Sequence, residues 1–350
     1  MQASIRCTTG RLNGRTAERH DGRTTGHITH CPNHQIKTEK KSADQSEQYK
    51  YRVAMSHISY LIILFYSYLT PFFSPDYSLS VMSAVSEPVA IITGAASGIG
   101  LALVKHLIAK GWRVVMADIN DVAGLQAAQD LGSDRVVFHK TDVGSWSDQV
   151  SLFQRAWQWS GMGRLDLLVA NAGIFRPDDI CDTGSDDTPK EPALEVLKVD
   201  LFSVFYGLKL FVHYSKKNPQ PSGKVVVTSS PTGIYPFPFG PEYCSAKHGV
   251  IGLVRSMGPR LQKQGIYINA VLPGFVLTGA TPAAVSSLVP EDYLTSLGAV
   301  CKAYDMFVDD FTHFGQCLEV SVDKVYFSNP PAYCDEAQAF ITSEVWTKLD

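Results

Sequence analysis

The feature that most constrains this chain is an alternation. From Val89 onward, short runs rich in β-branched residues are separated by longer stretches with helical apolar spacing. The runs are Val89 to Thr93, Arg113 to Asp118, Arg135 to His139, Leu165 to Asn171, Lys224 to Ser229, Tyr267 to Leu272 and Leu318 to Phe327. Parallel strands need a crossover between them, usually a helix, and strands covered on both faces read as continuous apolar runs. The pattern predicts the α/β class: one doubly wound parallel sheet in a single domain. No internal repeat of solenoid period competes with it.

Composition supports a buried core and narrows the partners. The 350 residues are 45% hydrophobic and 19% charged, with a formal net charge of −3. So balanced a chain has no general field for a polyanion, which argues against nucleic acid as the main partner. Residues 1–52 depart from this average, holding ten Lys or Arg against five Asp or Glu, with almost no apolar periodicity. They read as a disordered N-terminal extension.

An apolar stretch follows at 58–73, extendable to 53–73, close to the ~20 residues needed to cross a bilayer. Its core, Tyr60 to Tyr66, is short, serines interrupt its flanks and Pro71 would break its last turn. A membrane is therefore the weaker expectation, with an anchor kept as the alternative, and Met82 offers another start. The expected organisation is an extension over 1–81 and a dinucleotide-binding domain over 82–350. The seven cysteines are scattered, without C-x-x-C pairs or metal-ligand spacing. They read as reduced thiols of a cytoplasmic protein with no metal site.

Directly after the first strand comes Thr93-Gly94-Ala95-Ala96-Ser97-Gly98-Ile99-Gly100, leading into a helical pattern. Glycines there let the backbone turn sharply and approach a pyrophosphate, while the helix amides and dipole favour its negative charge. The second strand ends in Asp118, where a carboxylate can accept from the adenosine ribose hydroxyls and would repel a 2′-phosphate. Neither the turn nor Ile119 and Asn120 supplies a cation for that phosphate, so NAD is preferred. Arg113, on the same strand, keeps NADP open.

Tyr243 and Lys247 stand at i, i+4 spacing at the start of an apolar-periodic helix, which puts phenol and ammonium on one face. Ser230 closes the strand before it, at the carboxyl edge of the sheet where open α/β folds bind ligands. With TGxxxGxG at Thr93 to Gly100, NAG at Asn171 to Gly173, YxxxK at Tyr243 to Lys247 and PG at Pro273 to Gly274, the chain resembles the short-chain dehydrogenase/reductase family over roughly residues 86–327. Within it, YCSAKHGVIGLVRS and NAVLPGFVLT are most similar to the 15-hydroxyprostaglandin dehydrogenases and to dehydrogenases of fungal natural-product pathways.

The resemblance implies a Rossmann fold, NAD(P)-linked alcohol/ketone chemistry and a homodimer or homotetramer. Carried over, it places Gly94, Ser97, Gly98, Ile99 and Gly100 on the pyrophosphate and Asp142 and Val143 on the adenine. Asn171, Ala172 and Gly173 line the cleft, and Pro273, Gly274, Val276 and Thr278 lie at the nicotinamide. Ser230 would bond the substrate oxygen while Tyr243 moves its proton, the Lys247 cation favouring the phenolate. One departure stands out. Asp200 occupies the place where most of the family has an asparagine that completes, largely through its main-chain carbonyl, a water relay to the lysine. A carboxylate there would raise the pKa values of both Lys247 and Tyr243.

The loop between Ser230 and Tyr243 carries Tyr235, Phe237 and Phe239, which could form an apolar wall, and residues 279–299 read as a flap over the substrate. The expected substrate is a bulky, largely apolar secondary alcohol or ketone, consistent with secondary metabolism of polyketide or terpenoid type. A non-catalytic dinucleotide sensor is the alternative from another class, since a fold alone never fixes function. A membrane-anchored reductase is the other.

Overall fold

The computed structural model describes residues 87–345 apart from 133, 162, 179, 182–189, 221 and 279–282. The described residues belong to one compact unit, Val85–Asp350. The expected disordered extension, the apolar stretch at 53–73 and Met82 lie outside the described residues, as do 279–282 of the expected flap.

The strands are β1 (Val89–Thr93), β2 (Arg113–Asp118), β3 (Val136–Lys140), β4 (Leu167–Ala170), β5 (Gly223–Thr228), β6 (Ile266–Pro273), β7 (Cys317–Ser321) and β8 (Lys324–Phe327). They form one sheet in the order β3-β2-β1-β4-β5-β6-β7-β8. All pairings are parallel except β7 with β8. This is a doubly wound Rossmann sheet. The order reverses between β1 and β4, which opens a crevice at their carboxyl ends.

Helices cover both faces. Leu152 and Phe153 of α3 (Trp146–Trp159), Phe211 of α5 (Ser203–Ser215) and Val250 and Val254 of α6 (Pro241–Gln262) pack on one side. Leu103, Val104 and Leu107 of α1 (Gly98–Ala109) and Val300, Tyr304 and Phe307 of α8 (Leu297–Val308) pack on the other. Between them α2 (Asp121–Leu131) follows β2, a short α4 (Glu195–Leu197) precedes α5, α7 (Ala283–Ser286) precedes α8, and α9 (Glu336–Ala339) lies near the C-terminus. The first four residues of β1 are wholly buried, which is why that strand reads as an unbroken apolar run.

The run expected over Leu318 to Phe327 is two strands. The chain turns back at Val322, whose φ of 58° is costly for a β-branched residue, and the Val322 N–H donates to Thr295 Oγ1 at 3.1 Å. No glycine or asparagine marks that turn. The runs Val89 to Thr93 and Arg113 to Asp118 match β1 and β2 at both ends, and the boundaries of β3 to β6 shift by one or two residues. Of the expected flap, α7 and the start of α8 are helical.

Among the described residues no helix is long and apolar enough to cross a membrane. Nor does any group of three or more His, Cys, Asp or Glu there suit a metal ion. Cys244, Cys301, Cys317 and Cys334 are free thiols.

Candidate active site

The glycine turn sits at the mouth of the crevice. Gly94 has a φ of +64°, and a Cβ there would come within 2.9 Å of Ala172 Cα. At Gly100 a Cβ would lie 2.0 Å from the Gly94 carbonyl oxygen, so no side chain is tolerated where the turn folds onto α1. The first amides of α1 also lack a side-chain cap. Ser97 makes no capping bond, whereas Asn120, Ser145 and Ser296 cap α2, α3 and α8. With no acidic residue in its first turn, α1 presents open N–H groups and its positive end, as a pyrophosphate requires. Gly98 and Ile99 form that turn.

Asp118, at the end of β2, holds the glycine turn in place. Its Oδ2 accepts from Ala96 N–H at 2.9 Å and its Oδ1 from Asn120 N–H at 2.9 Å. Each carboxylate oxygen keeps a further lone pair, which suits a vicinal diol. Arg113 is spent elsewhere: its guanidinium donates to the Ser160 and Trp159 carbonyls and stacks 4.0 Å from the Trp159 ring centroid, at the opposite end of the strand. Asp142 binds its own turn through Gly144 N–H at 2.9 Å. Val143 is buried, lining a small cavity with Thr93, Ala170 and Ala172.

Asn171 ties three strands together. Its Nδ2 donates to the Thr93 carbonyl at 3.0 Å, its Oδ1 accepts from Thr228 Oγ1 at 3.0 Å, and the Asn171 and Ala172 amides both donate to Thr93 Oγ1 at 3.0 Å. Its side chain therefore braces the floor of the crevice. On the far side Gly274, just past Pro273, donates to the Val320 carbonyl at 2.7 Å, and Val276 packs against the core. The chain then returns to the glycine turn, so that a Cβ on Gly98 would lie 3.1 Å from Thr278 Cγ2.

Lys247 lies at the centre of the remaining groups. Its Nζ donates to the Thr228 carbonyl at 3.2 Å, pairs with Asp200 Oδ2 at 3.0 Å and sits 5.3 Å from the Tyr243 ring centroid. Burial pulls the ammonium down, but the Asp200 carboxylate, the Tyr243 phenol and the bond to Asp200 together hold it above the usual lysine range. The other Asp200 oxygen accepts from Ile174 N–H at 2.8 Å. Asp200 reaches both partners from a π-helical turn, Lys198–Phe202, inserted between α4 and α5. Such wide turns recur at functional sites. Gly173 lies against the pair: a Cβ there would meet Asp200 Oδ2 at 2.9 Å and Lys247 Nζ at 3.5 Å.

Ser230 follows β5 with extended backbone and is 8% exposed. Its Oγ accepts from Thr232 N–H at 3.2 Å, which leaves the hydroxyl proton to donate outward. Tyr243 has its ring edge-to-face with Phe175, centroids 5.5 Å apart at 84°. Two participants escaped the reading of the sequence. Thr228, whose carbonyl holds Lys247, looks like any strand residue. Phe175 stands two positions past the NAG turn, a spacing that could have drawn attention to it.

The arrangement thus offers an anion cradle, a diol acceptor, a hydroxyl donor just past β5, and a phenol with a buried cation. The comparisons point the same way. The family model for short chain dehydrogenase matches residues 88–287. The chain is 36% identical over 267 residues to the short-chain dehydrogenase/reductase prx6 of Penicillium rubens, covering 71% of this chain and 89% of that protein. It is 33% identical over 246 residues to the short-chain dehydrogenase/reductase ascJ of Acremonium egyptiacum, covering 69% and 80%. With human 15-hydroxyprostaglandin dehydrogenase [NAD(+)] the identity is 32% over 238 residues, covering 66% and 81%.

Proposed function

The chain belongs to the short-chain dehydrogenase/reductase family and is an NAD(P)-dependent oxidoreductase acting on CH–OH groups, and from that premise we propose the following division of labour. Tyr243 is the acid/base, Lys247 the cation that stabilises charge on its phenol oxygen, Ser230 the donor to the substrate oxygen and Asp200 the anchor of Lys247. When bound, the nicotinamide takes up or returns the hydride of the carbinol carbon. In oxidation the substrate hydroxyl proton passes to the Tyr243 oxygen while Ser230 holds the oxygen that becomes the carbonyl. The observation that carries this is the buried Lys247 ammonium, fixed by Asp200 and the Thr228 carbonyl beside the Tyr243 ring.

The α1 amides would hold the pyrophosphate of the dinucleotide, Asp118 its adenosine ribose, and Asp142 and Val143 its adenine. Pro273, Gly274, Val276 and Thr278 would hold the nicotinamide. NAD is the cofactor in preference to NADP: Asp118 opposes a 2′-phosphate and Arg113 is held at the far end of β2. The NAD(+) in the name of the human relative agrees. The substrate is a bulky, largely apolar secondary alcohol or ketone of secondary metabolism, and the working protein is a homodimer or homotetramer. The apolar residues around Tyr243 and the fungal relatives support the substrate class.

The test is Tyr243→Phe. NADH formation from a panel of polyketide, terpenoid and fatty alcohols should fall by about two to four orders of magnitude while calorimetry still registers NAD binding. Substantial remaining turnover would assign the proton to another group.

A further inference from the structure

A row of aromatic rings leads outward from Tyr243. Phe175 lies 5.5 Å from it at 84°, Phe237 lies 5.9 Å from Phe175 at 53°, and Phe239 lies 6.2 Å from Phe237 at 68°. Phe175 is 52% exposed and Phe239 80%, with the half-buried Phe237 between them. Phe175 is nonetheless fixed in place. The amide of its neighbour Ile174 is held by Asp200, the same carboxylate that holds Lys247. Gly240, at the start of α6, leaves its ring the space it needs, since a Cβ there would meet Phe175 Cε2 at 2.8 Å and Phe237 Cε1 at 3.3 Å.

A large apolar ring left half in solvent, yet anchored at its backbone and packed at its edges, is a recognition surface ready to be covered. We propose that Phe175 is the specificity-determining residue of this site, and that it selects alcohols and ketones whose carbinol carbon bears a planar aromatic or conjugated ring. The inference rests on the assignment of Tyr243, because Phe175 is the ring in contact with it. A saturated group placed there gains only the area it buries. A flat unsaturated ring gains in addition the edge-to-face attraction that the inclined rings of Tyr243, Phe175 and Phe237 already share with one another.

The test compares 1-phenylethanol with 1-cyclohexylethanol in steady-state NADH formation, and acetophenone with cyclohexyl methyl ketone in calorimetric binding to the NADH-loaded protein. The native protein should favour the phenyl member of each pair by about threefold to tenfold, the size of one aromatic pair interaction. Phe175→Ala and Phe175→Leu should each bring that ratio to within about twofold, chiefly through KM, with Phe175→Trp restoring it. Leucine keeps apolar bulk, so a folding defect in the alanine variant does not hide the outcome. A native ratio near one, binding of neither ketone, or a ratio that survives both substitutions would overturn the inference. Equal losses on both members leave the ratio intact and count against it in the same way, marking Phe175 as a mere support of Tyr243. Turnover retained by Tyr243→Phe would instead sink the underlying functional reading.

Discussion

Asp200 and Lys247 form a buried ion pair, Oδ2 to Nζ 3.0 Å, with side chains 0% and 5% exposed. The carboxylate also grips the Ile174 amide, so one residue fixes both the cation beside Tyr243 and the chain segment leading to Phe175. An asparagine could keep the Ile174 bond but not the charge. Asp200 therefore does more with its side chain than a main-chain relay would require.

The pH dependence of oxidation follows from that charge. Asp200 is a cause of the elevated Lys247 ammonium, so Asp200→Asn should lower it. A negative charge beside the reacting pair opposes proton loss, and its removal should move the rising limb of oxidative kcat/KM to lower pH. The check is a pair of pH–rate profiles with NAD in excess. Profiles that coincide would refute the idea.

Cofactor choice should depend on Asp118 and on the strand beside it. In register, Asp118 neighbours Lys140 of β3, and parallel strands lie about 4.8 Å apart. Asp118→Ser removes the repulsion of a 2′-phosphate and leaves that exposed lysine in reach. The native protein should prefer NAD by at least about tenfold in kcat/KM, and Asp118→Ser should narrow the preference by about tenfold or more, a change near 1.4 kcal/mol. A native preference for NADP, or a ratio unmoved by the substitution, would contradict this.

Starting the protein at Met82 should leave turnover intact, because every group named in the chemistry lies between Gly94 and Thr278. Matched measurements of kcat and KM on the full and shortened proteins check this. A large loss in the shortened one would give residues 1–81 a part in activity.

The strands were legible because physics leaves them little choice. Val89 to Thr93 is buried on both faces, and only an unbroken apolar run can occupy such a place. The glycine turn and the Tyr243/Lys247 spacing were legible for a similar reason, since close backbone approach and a one-turn offset leave a direct trace in the chain. What stayed hidden depends on contacts made at a distance. Strand position alone did not say which end of β2 Arg113 serves; the Trp159 ring and the Trp159 and Ser160 carbonyls decide it. The π-helical turn that aims Asp200 has no compositional signature, and Val322 takes the positive φ of its turn although it is neither glycine nor asparagine. Phe175 reads as one more loop aromatic until its ring is placed against Tyr243.

Lys224 should make stability depend on alkaline pH. It opens the central part of β5 with 4% exposure, donates to the Val308 carbonyl at the end of α8, and lies 3.4 Å from the Phe311 ring centroid. Burial lowers its ammonium from the usual 10.5 to about 8; Asp309 and Asp310 oppose the shift and Lys110 adds to it. Below pH 8 the group is protonated folded and unfolded alike, so its penalty is constant. Between about 8 and 10.5 the folded protein sheds the proton first while the unfolded chain still binds it, so this contribution to stability rises with pH. The shift corresponds to at most about 3 to 4 kcal/mol, and the cation–π contact with Phe311, which favours the charged form, makes the gain smaller. Urea unfolding at pH 7.5 and pH 10 checks it: relative to Lys224→Met, which cannot titrate, the native protein should gain stability at the higher pH. A constant difference between the two proteins would show that Lys224 keeps its proton throughout that interval.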